Sequence, residues 1–242
     1  MKKYLFLIAA VVLAQQSIAQ FVMSGKVEYE RKMNVHAQME GNDWFEKFKS
    51  NVPKFNSTYF DMIFDTGRTL YKPGREVETT TKPFWGASSP ASENIVYNSL
   101  AAKKVTALKA IYETKFLVQD SMRKIDWKEK DGIRTIAGHQ CHKAVGIICD
   151  SVYVVAFYAE DIPVSSGPEM FGGLPGLILE LAIPRLHTTW TANKIDLLTE
   201  KDEFKIPEKG KKVSTKELQE SIKASFSDWG KNATRYVWWT VI

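Results

Sequence analysis

Residues 168–181 constrain this chain more than any others. They read Pro168, Glu169, Met170, Phe171, Gly172, Gly173, Leu174, Pro175, Gly176, Leu177, Ile178, Leu179, Glu180, Leu181. A solvated loop is not built from Leu, Ile and Phe, so this one must pack or bind. Leu174-Pro175-Gly176-Leu177 predicts a type II turn, with Pro175 fixing φ and Gly176 at the positive-φ position. Gly172 and Gly173 permit close backbone approach or further unusual dihedrals. Past the turn, Leu177, Leu179, Leu181 and Ile183 form one strand face, opposed by Ile178, Glu180 and Ala182. Leu177 to Leu179 are apolar on both faces, so the start of this strand is expected to be covered on both sides. The loop is then a rigid corner whose leucines plug the core, or a lip over a ligand-binding concavity. Its candidate binding or structural residues are Phe171, Gly173, Leu174, Pro175, Gly176, Leu177 and Ile178.

The rest of the chain alternates with the period of strands. Val27, Tyr29, Met33 and Val35 fall on one face, and Lys26, Glu28, Glu30, Lys32 and Asn34 on the other. Further strands are expected at 58–64, through 70–71, and at 95–97, 106–118, 123–127, 134–148, 152–158, 177–183 and 188–195. Asp65-Thr66-Gly67, Asp131-Gly132 and Asp150-Ser151 supply turns between them. Short strands joined by short turns imply antiparallel meanders. The predicted fold is a single, mainly β (α+β) domain over residues 20–242. It has a curved, mostly antiparallel sheet or half-barrel and a C-terminal helix. A short helix is expected over 42–50, ending before Pro53, and an irregular surface stretch over 73–93. Ser214 with Glu217 makes a capping box for a helix to about Trp229, with Leu218, Ile222 and Phe226 on its apolar face. Residues 236–242 are expected to form a last strand.

Residues 1–19 read as a signal peptide: Lys2 and Lys3, then an apolar run from Tyr4 to Ala14, then Ser17 and Ala19 before a cut ahead of Gln20. No cysteine follows the cut, so the chain is not expected to be a lipoprotein. No later stretch is apolar enough for a transmembrane helix. A periplasmic or secreted protein follows. The formal net charge is +5, with lysines spread along the chain. No basic stripe is interleaved with aromatics, which argues against nucleic acid as a partner.

Signatures of chemistry are sparse. Asp65-Thr66-Gly67 has the form of an aspartic-protease triplet, but it stands alone, is followed by Arg68, and is explained by a hairpin turn. His139 and Cys141 are the candidate metal ligands. They share a strand face while His142 points away, and further ligands would have to come from His36, His187 or distant carboxylates. Asp161 and Glu169 flank the glycine-rich loop as a conceivable carboxylate pair. No nucleophile elbow, zincin helix, phosphate loop or dinucleotide fingerprint occurs, and no cofactor is indicated. Cys141 and Cys149 would lie about 26 Å apart on one continuous strand at about 3.3 Å per residue. A disulfide needs the chain to fold back between them, at Gly146.

Several segments carry a family resemblance. The run Ile136 to Ala144 is similar to a Gly-x-x-Cys-x-Lys-Ala segment. Ala156 to Val164 resembles an aromatic-then-Ile-Pro segment. Gly167-Pro168, Phe171 and the string from Gly173 to Ile178 follow, with Phe116 to Asp120 and Ile125-Asp126-Trp127 upstream. Together they resemble the GLPGLI family of exported proteins of Bacteroidetes-type bacteria. The resemblance implies export and no reaction. Cys149 and the aromatic residues from Tyr236 depart from the family pattern. The expected function is that of a non-enzymatic cell-envelope protein binding an apolar ligand, a peptide or a partner protein. The alternatives are a periplasmic enzyme and a metal-binding envelope protein.

Overall fold

The computed structural model describes residues 21–41, 43–76, 90–111, 113–196, 198, 203–225 and 237–242. The leader expected at 1–19, the middle of the irregular stretch 73–93 and the expected end of the C-terminal helix lie outside the described residues.

Twelve strands form one open, curved sheet: β1 (Gly25–Asn34), β2 (Phe55–Phe64), β3 (Arg68–Pro73), β4 (Ile95–Ser99), β5 (Lys104–Ile111), β6 (Thr114–Ser121), β7 (Lys128–Ile136), β8 (His139–Ile148), β9 (Val152–Ala159), β10 (Leu177–Ile183), β11 (Thr188–Asp196) and β12 (Lys211–Val213). From one edge to the other the order is β12, β6, β5, β4, β3, β2, β1, β11, β10, β9, β8, β7. Two antiparallel meanders, β1 to β6 and β7 to β11, are thus joined where β1 pairs with β11. Only β12, beside β6, runs parallel to its neighbour. The mainly β, mostly antiparallel fold is the one the alternation and turn spacing predicted.

Alternation decides which face is covered. Val27, Tyr29 and Arg31 of β1 stand in register with Met62, Phe60 and Thr58 of β2 and with Ile195, Ala192 and Trp190 of β11. This row continues through Tyr71, Val96, Ala107 and Val118 on one side. It forms the inner face of the curve, and most of it is buried. Lys26, Glu28, Glu30 and Lys32 line the other face and are at least partly solvated.

Several expected boundaries move. The expected strand over 106–118 is a hairpin, with Ile111 paired to Thr114. The expected strand over 134–148 is also a hairpin, because Ala137 (φ 48°) and Gly138 (φ 87°) both take the left-handed conformation that a tight two-residue turn requires. Asp131-Gly132 is correspondingly not a turn between strands. It lies in a bulge of β7, where the register slips between Lys130 and Ile133 and Gly132 sits at φ 143°. The chain does turn at Asp150-Ser151, between the paired residues Ile148 and Val152. Residues 123–127 pair with no strand. They cross β8 at Gly146, where a Cβ would stand 2.6 Å from Ile125 Cγ2 and 3.1 Å from Trp127 Cε3.

The helices are short. Val35, read as the end of a strand, opens α1 (Val35–Gln38), capped by Asn34 Oδ1, which accepts from Ala37 N. The helix expected over 42–50 is α2 (Asp43–Glu46) followed by a 3-10 turn at Lys49–Asn51. The third, α3 (Thr215–Ser225), carries the expected capping box: Glu217 N donates to Ser214 Oγ, and Ser214 N donates to Glu217 Oε2 at 2.6 Å. Residues 237–241 are helical, not a closing strand. Val237, Trp239, Thr240, Val241 and Ile242 are all buried. A segment covered on every side can satisfy its backbone locally and has no need of a ladder partner.

Candidate functional site under the glycine-rich loop

The loop from Ile162 to Gly176 folds back over the inner end of β10. Leu177 N donates to Ile162 O, and Ile178 N to Ser166 O. Ser166 and Gly172 form an isolated antiparallel bridge. On the sheet side the Tyr29 hydroxyl donates to Ile178 O at 2.7 Å. Leu177, Ile178 and Leu179 are completely buried, as their two apolar faces predicted. The Leu174-Pro175-Gly176-Leu177 turn, however, is not type II with a left-handed Gly176. The left-handed glycine is Gly173, at φ 92°. Gly176 serves a different need, because a Cβ there would stand 2.0 Å from Ala159 O. Gly167 and Gly172 are similarly tight, against Ile178 Cβ (2.7 Å) and Ser165 O (2.8 Å). Phe171 and Leu174 are buried, while Gly173 and Pro175 face outward. The Trp127 indole N–H closes the corner on Gly172 O at 2.9 Å.

Beneath this corner lies a group of buried polar side chains. Thr69, Asn98 and Ser166 form a neutral triad: Asn98 Nδ2 donates to Thr69 Oγ1, which lies 3.0 Å from Ser166 Oγ. Beside it sits Glu169, held at φ 55° with no solvent exposure. Its Oε2 accepts from Asn94 Nδ2 at 2.8 Å, and its Oε1 has no hydrogen-bond partner. Arg31 and Lys109 stand around it, with Tyr71, whose hydroxyl accepts from Trp190 Nε1. Burial pushes the Glu169 carboxyl above its ordinary range, against the pull of Lys109, Asn94 and Arg31. Burial also lowers Lys109, to about 8; Glu169 opposes that shift and the Arg123 guanidinium adds to it. A bare buried charge is costly, and these groups are offset by one another and by neutral partners: Arg31 Nη1 donates to Pro90 O at 2.7 Å and Nη2 to Thr58 Oγ1 at 3.2 Å.

Residues 237–242 cover the cluster. The Arg31 guanidinium lies between Phe60 and Trp239, 4.9 and 5.5 Å from the ring centres. Trp239 packs 6.3 Å from Trp190. Lys109 Nζ donates to Ile242 O, and Arg123 Nη2 to the Val241 carbonyl. The inner face thus receives an apolar stretch of chain through aromatic walls and cationic donors.

The other candidates do not assemble. Asp65 Oδ1 accepts from Gly67 N and Arg68 N, and Oδ2 from Arg68 Nε, all at 2.9 Å, which makes the triplet a capped hairpin turn. Asp161 pairs with His139, its Oδ2 2.6 Å from the ring Nδ1, and not with Glu169. Cys141 is buried, and its thiol is pushed up to about 12 by burial and by Asp161. His36 Nε2 lies 2.8 Å from Val52 O, and His187 ends a 3-10 turn at φ 46°. Among the described residues no three His, Cys, Asp or Glu side chains gather closely enough to hold a metal ion. Both thiols are free, at opposite ends of a strand that runs straight through Gly146.

Of these residues, the sequence reading noted Glu169 but missed Arg31, Lys109 and Arg123. The signal was present for two of them. Arg31 falls in the apolar register of Val27, Tyr29 and Met33, and Lys109 in that of Val105 and Ala107.

A family model described as "Protein of unknown function (Porph_ging)" matches residues 93–180. The match takes in Asn94, Lys109, Arg123, Glu169 and the whole glycine-rich loop, but not Arg31, Tyr71, Trp190 or residues 237–242. No curated protein matches. Among solved structures, PNGF-II in a P21 crystal is similar at 15% identity, over 84% of this chain and 34% of that one, with a TM-score of 0.55. PNGF-II in a C2 crystal is similar at 14% identity, over 90% and 33%, with a TM-score of 0.53. The chain spans about a third of the length of these structures, and the likeness is one of fold.

Proposed function

We propose that this chain is a non-enzymatic cell-envelope protein of the GLPGLI type. In this reading a leader at 1–19 exports one domain over 20–242, which then stands in the periplasm or outside the cell. There it binds an apolar peptide or partner segment on the inner face of its sheet. The observation that carries the reading is the position of residues 237–242, a mostly apolar stretch laid on that face with successive main-chain oxygens received by Arg123 and Lys109. The glycine-rich loop is the rigid wall of this site, its glycines set by packing. Among the described residues no helix is long and apolar enough to cross a membrane.

A second reading, an envelope enzyme, draws on the free oxygen of Glu169 beside Lys109. That oxygen is fully covered, so the covering segment would have to leave before any substrate reached it. Binding on the face needs only the exchange of one segment for another.

The test is a variant in which Trp239→Ala and Ile242→Ser loosen the segment. The expected result is that it binds a fluorescein-labelled peptide of the sequence of residues 231–242 with micromolar affinity, while the parent does not. A folded variant with no affinity for the peptide refutes the reading.

A further inference from the structure

A lysine, an asparagine and a glutamate gather on the inner face with the parts of an amide-forming reaction. β4 and β5 pair antiparallel, with Ile95 opposite Leu108 and Val96 opposite Ala107. Continued by one residue beyond Ile95, that register sets Asn94 opposite Lys109, on the face of Val96 and Ala107. Directly opposed residues hold their Cβ atoms about 5 Å apart. A lysine side chain can cross such a gap to the amide carbon of an asparagine. Asn94, Lys109 and Glu169 are all buried. Glu169 Oε2 accepts from Asn94 Nδ2 at 2.8 Å, and Oε1 is left without a partner. Burial favours the neutral form of each ionisable group, raising Glu169 and lowering Lys109 to about 8. A neutral amine is a nucleophile and an ammonium is not. Lys109 Nζ donates to Ile242 O. A neutral amine can keep such a bond and still turn its lone pair elsewhere.

We propose that Lys109 and Asn94 join in the folded chain as an intramolecular amide crosslink, with Glu169 carrying the proton. Lys109 Nζ attacks Asn94 Cγ. The Nζ–Cγ bond forms and the Cγ–Nδ2 bond breaks. Glu169 takes one proton from Nζ and delivers one to Nδ2, which leaves as ammonia. The carboxyl group is regenerated, and no oxidant or second substrate enters. The covered oxygen of Glu169, out of reach of an outside substrate, suits a reaction whose partners are already buried beside it. The fold supplies the proximity that free amines and amides lack. The product ties the residue before β4 to β5, and its amide N–H keeps one donor for Ile242 O. The titration of Lys109 belongs to the unjoined chain, because an amide nitrogen does not ionise in that range.

The experiment keeps the purified, folded protein overnight at mildly alkaline pH, digests it with trypsin and maps the peptides by mass spectrometry. In the parent, the peptide holding Asn94 is expected to be joined to one that runs uncut through Lys109. The mass of the pair should be the sum of the two less one molecule of ammonia. Ammonia lost anywhere else leaves the two peptides separate. A folded parent in which they stay separate overturns the crosslink, whatever the variants do. Asn94→Ala should abolish the joined species. Glu169→Gln keeps the size of the side chain and should also abolish it, in a protein that still unfolds cooperatively. A joined peptide that forms as fully in Glu169→Gln as in the parent overturns the part given to Glu169.

Discussion

Gly176 and Ala159 are in such close contact that a Cβ on the glycine would stand 2.0 Å from the alanine carbonyl oxygen and 2.6 Å from its carbonyl carbon. Backbone on both sides of the contact leaves no flexible side chain to yield. Gly176→Ala is therefore expected to cost about 3 kcal/mol or more in denaturant unfolding, the range of severe overpacking. Gly173→Ala, left-handed but open to solvent, should cost only about 1–2 kcal/mol. Equal costs would mean that the loop is held by its dihedrals and not by this approach.

Trp127 ties the stretch crossing β8 to the glycine-rich corner through Gly172 O. Trp127→Phe keeps an aromatic ring over Gly146 and removes the donor. A loss of about 1 kcal/mol is expected, the net worth of one hydrogen bond. Unfolding curves of the parent and the variant that superimpose would show that the bond contributes nothing.

Much of the fold was legible because its signals are local. The alternation of β1, the Asp65 turn and the Ser214–Glu217 box each depend on neighbours within a few residues. What failed had two distinct origins. Ala137-Gly138 is a hairpin turn without Asn or Asp, so the stronger-looking Asp131-Gly132 took its place in the reading, although there the glycine serves a bulge. Residues 237–242 alternate little and are apolar but for Thr240, and such a run has no period that separates helix from strand. The buried polar cluster was hidden for a third reason. Arg31 and Lys109 are charged residues in apolar registers, and only the assembled sheet brings them to Glu169, which lies far from both in the chain.

Lys109 gives the molecule a measurable pH signature. Burial holds its ammonium down to about 8, from an ordinary 10.5. Between these values the unfolded chain keeps a proton that the folded chain has released, so this group's contribution to stability rises with pH in that window. Relative to Lys109→Met, the parent should gain on the order of 1–3 kcal/mol between about pH 8 and pH 10. Raised tyrosines and thiols act in the opposite sense at higher pH, but they are common to both proteins and cancel in the difference. A constant difference across the window would show that Lys109 titrates at its ordinary value.

The two thiols should separate under alkylation. Cys141 is buried and raised to about 12, whereas Cys149 is half-exposed at a surface turn. Iodoacetamide applied to the native protein should modify Cys149 alone, slowly, because burial also raises that thiol despite the nearby Arg123. Cys141 should be labelled only on adding denaturant. Early modification of Cys141, read by peptide mass mapping, would mean that β8 opens in the native state.

The last strand of the sheet, β7, is solvent-exposed along nearly its whole length. Its first residues are Lys128, Glu129, Lys130 and Asp131, and Gly132 then breaks its register. The opposite border is β12, only three residues long. A sheet this wide would otherwise template strand-by-strand growth into fibres. Here a second molecule docking on one border meets charge and a kink, and on the other too short a ladder to hold it. Neither border therefore offers a second molecule a long, flat and uncharged ladder to extend.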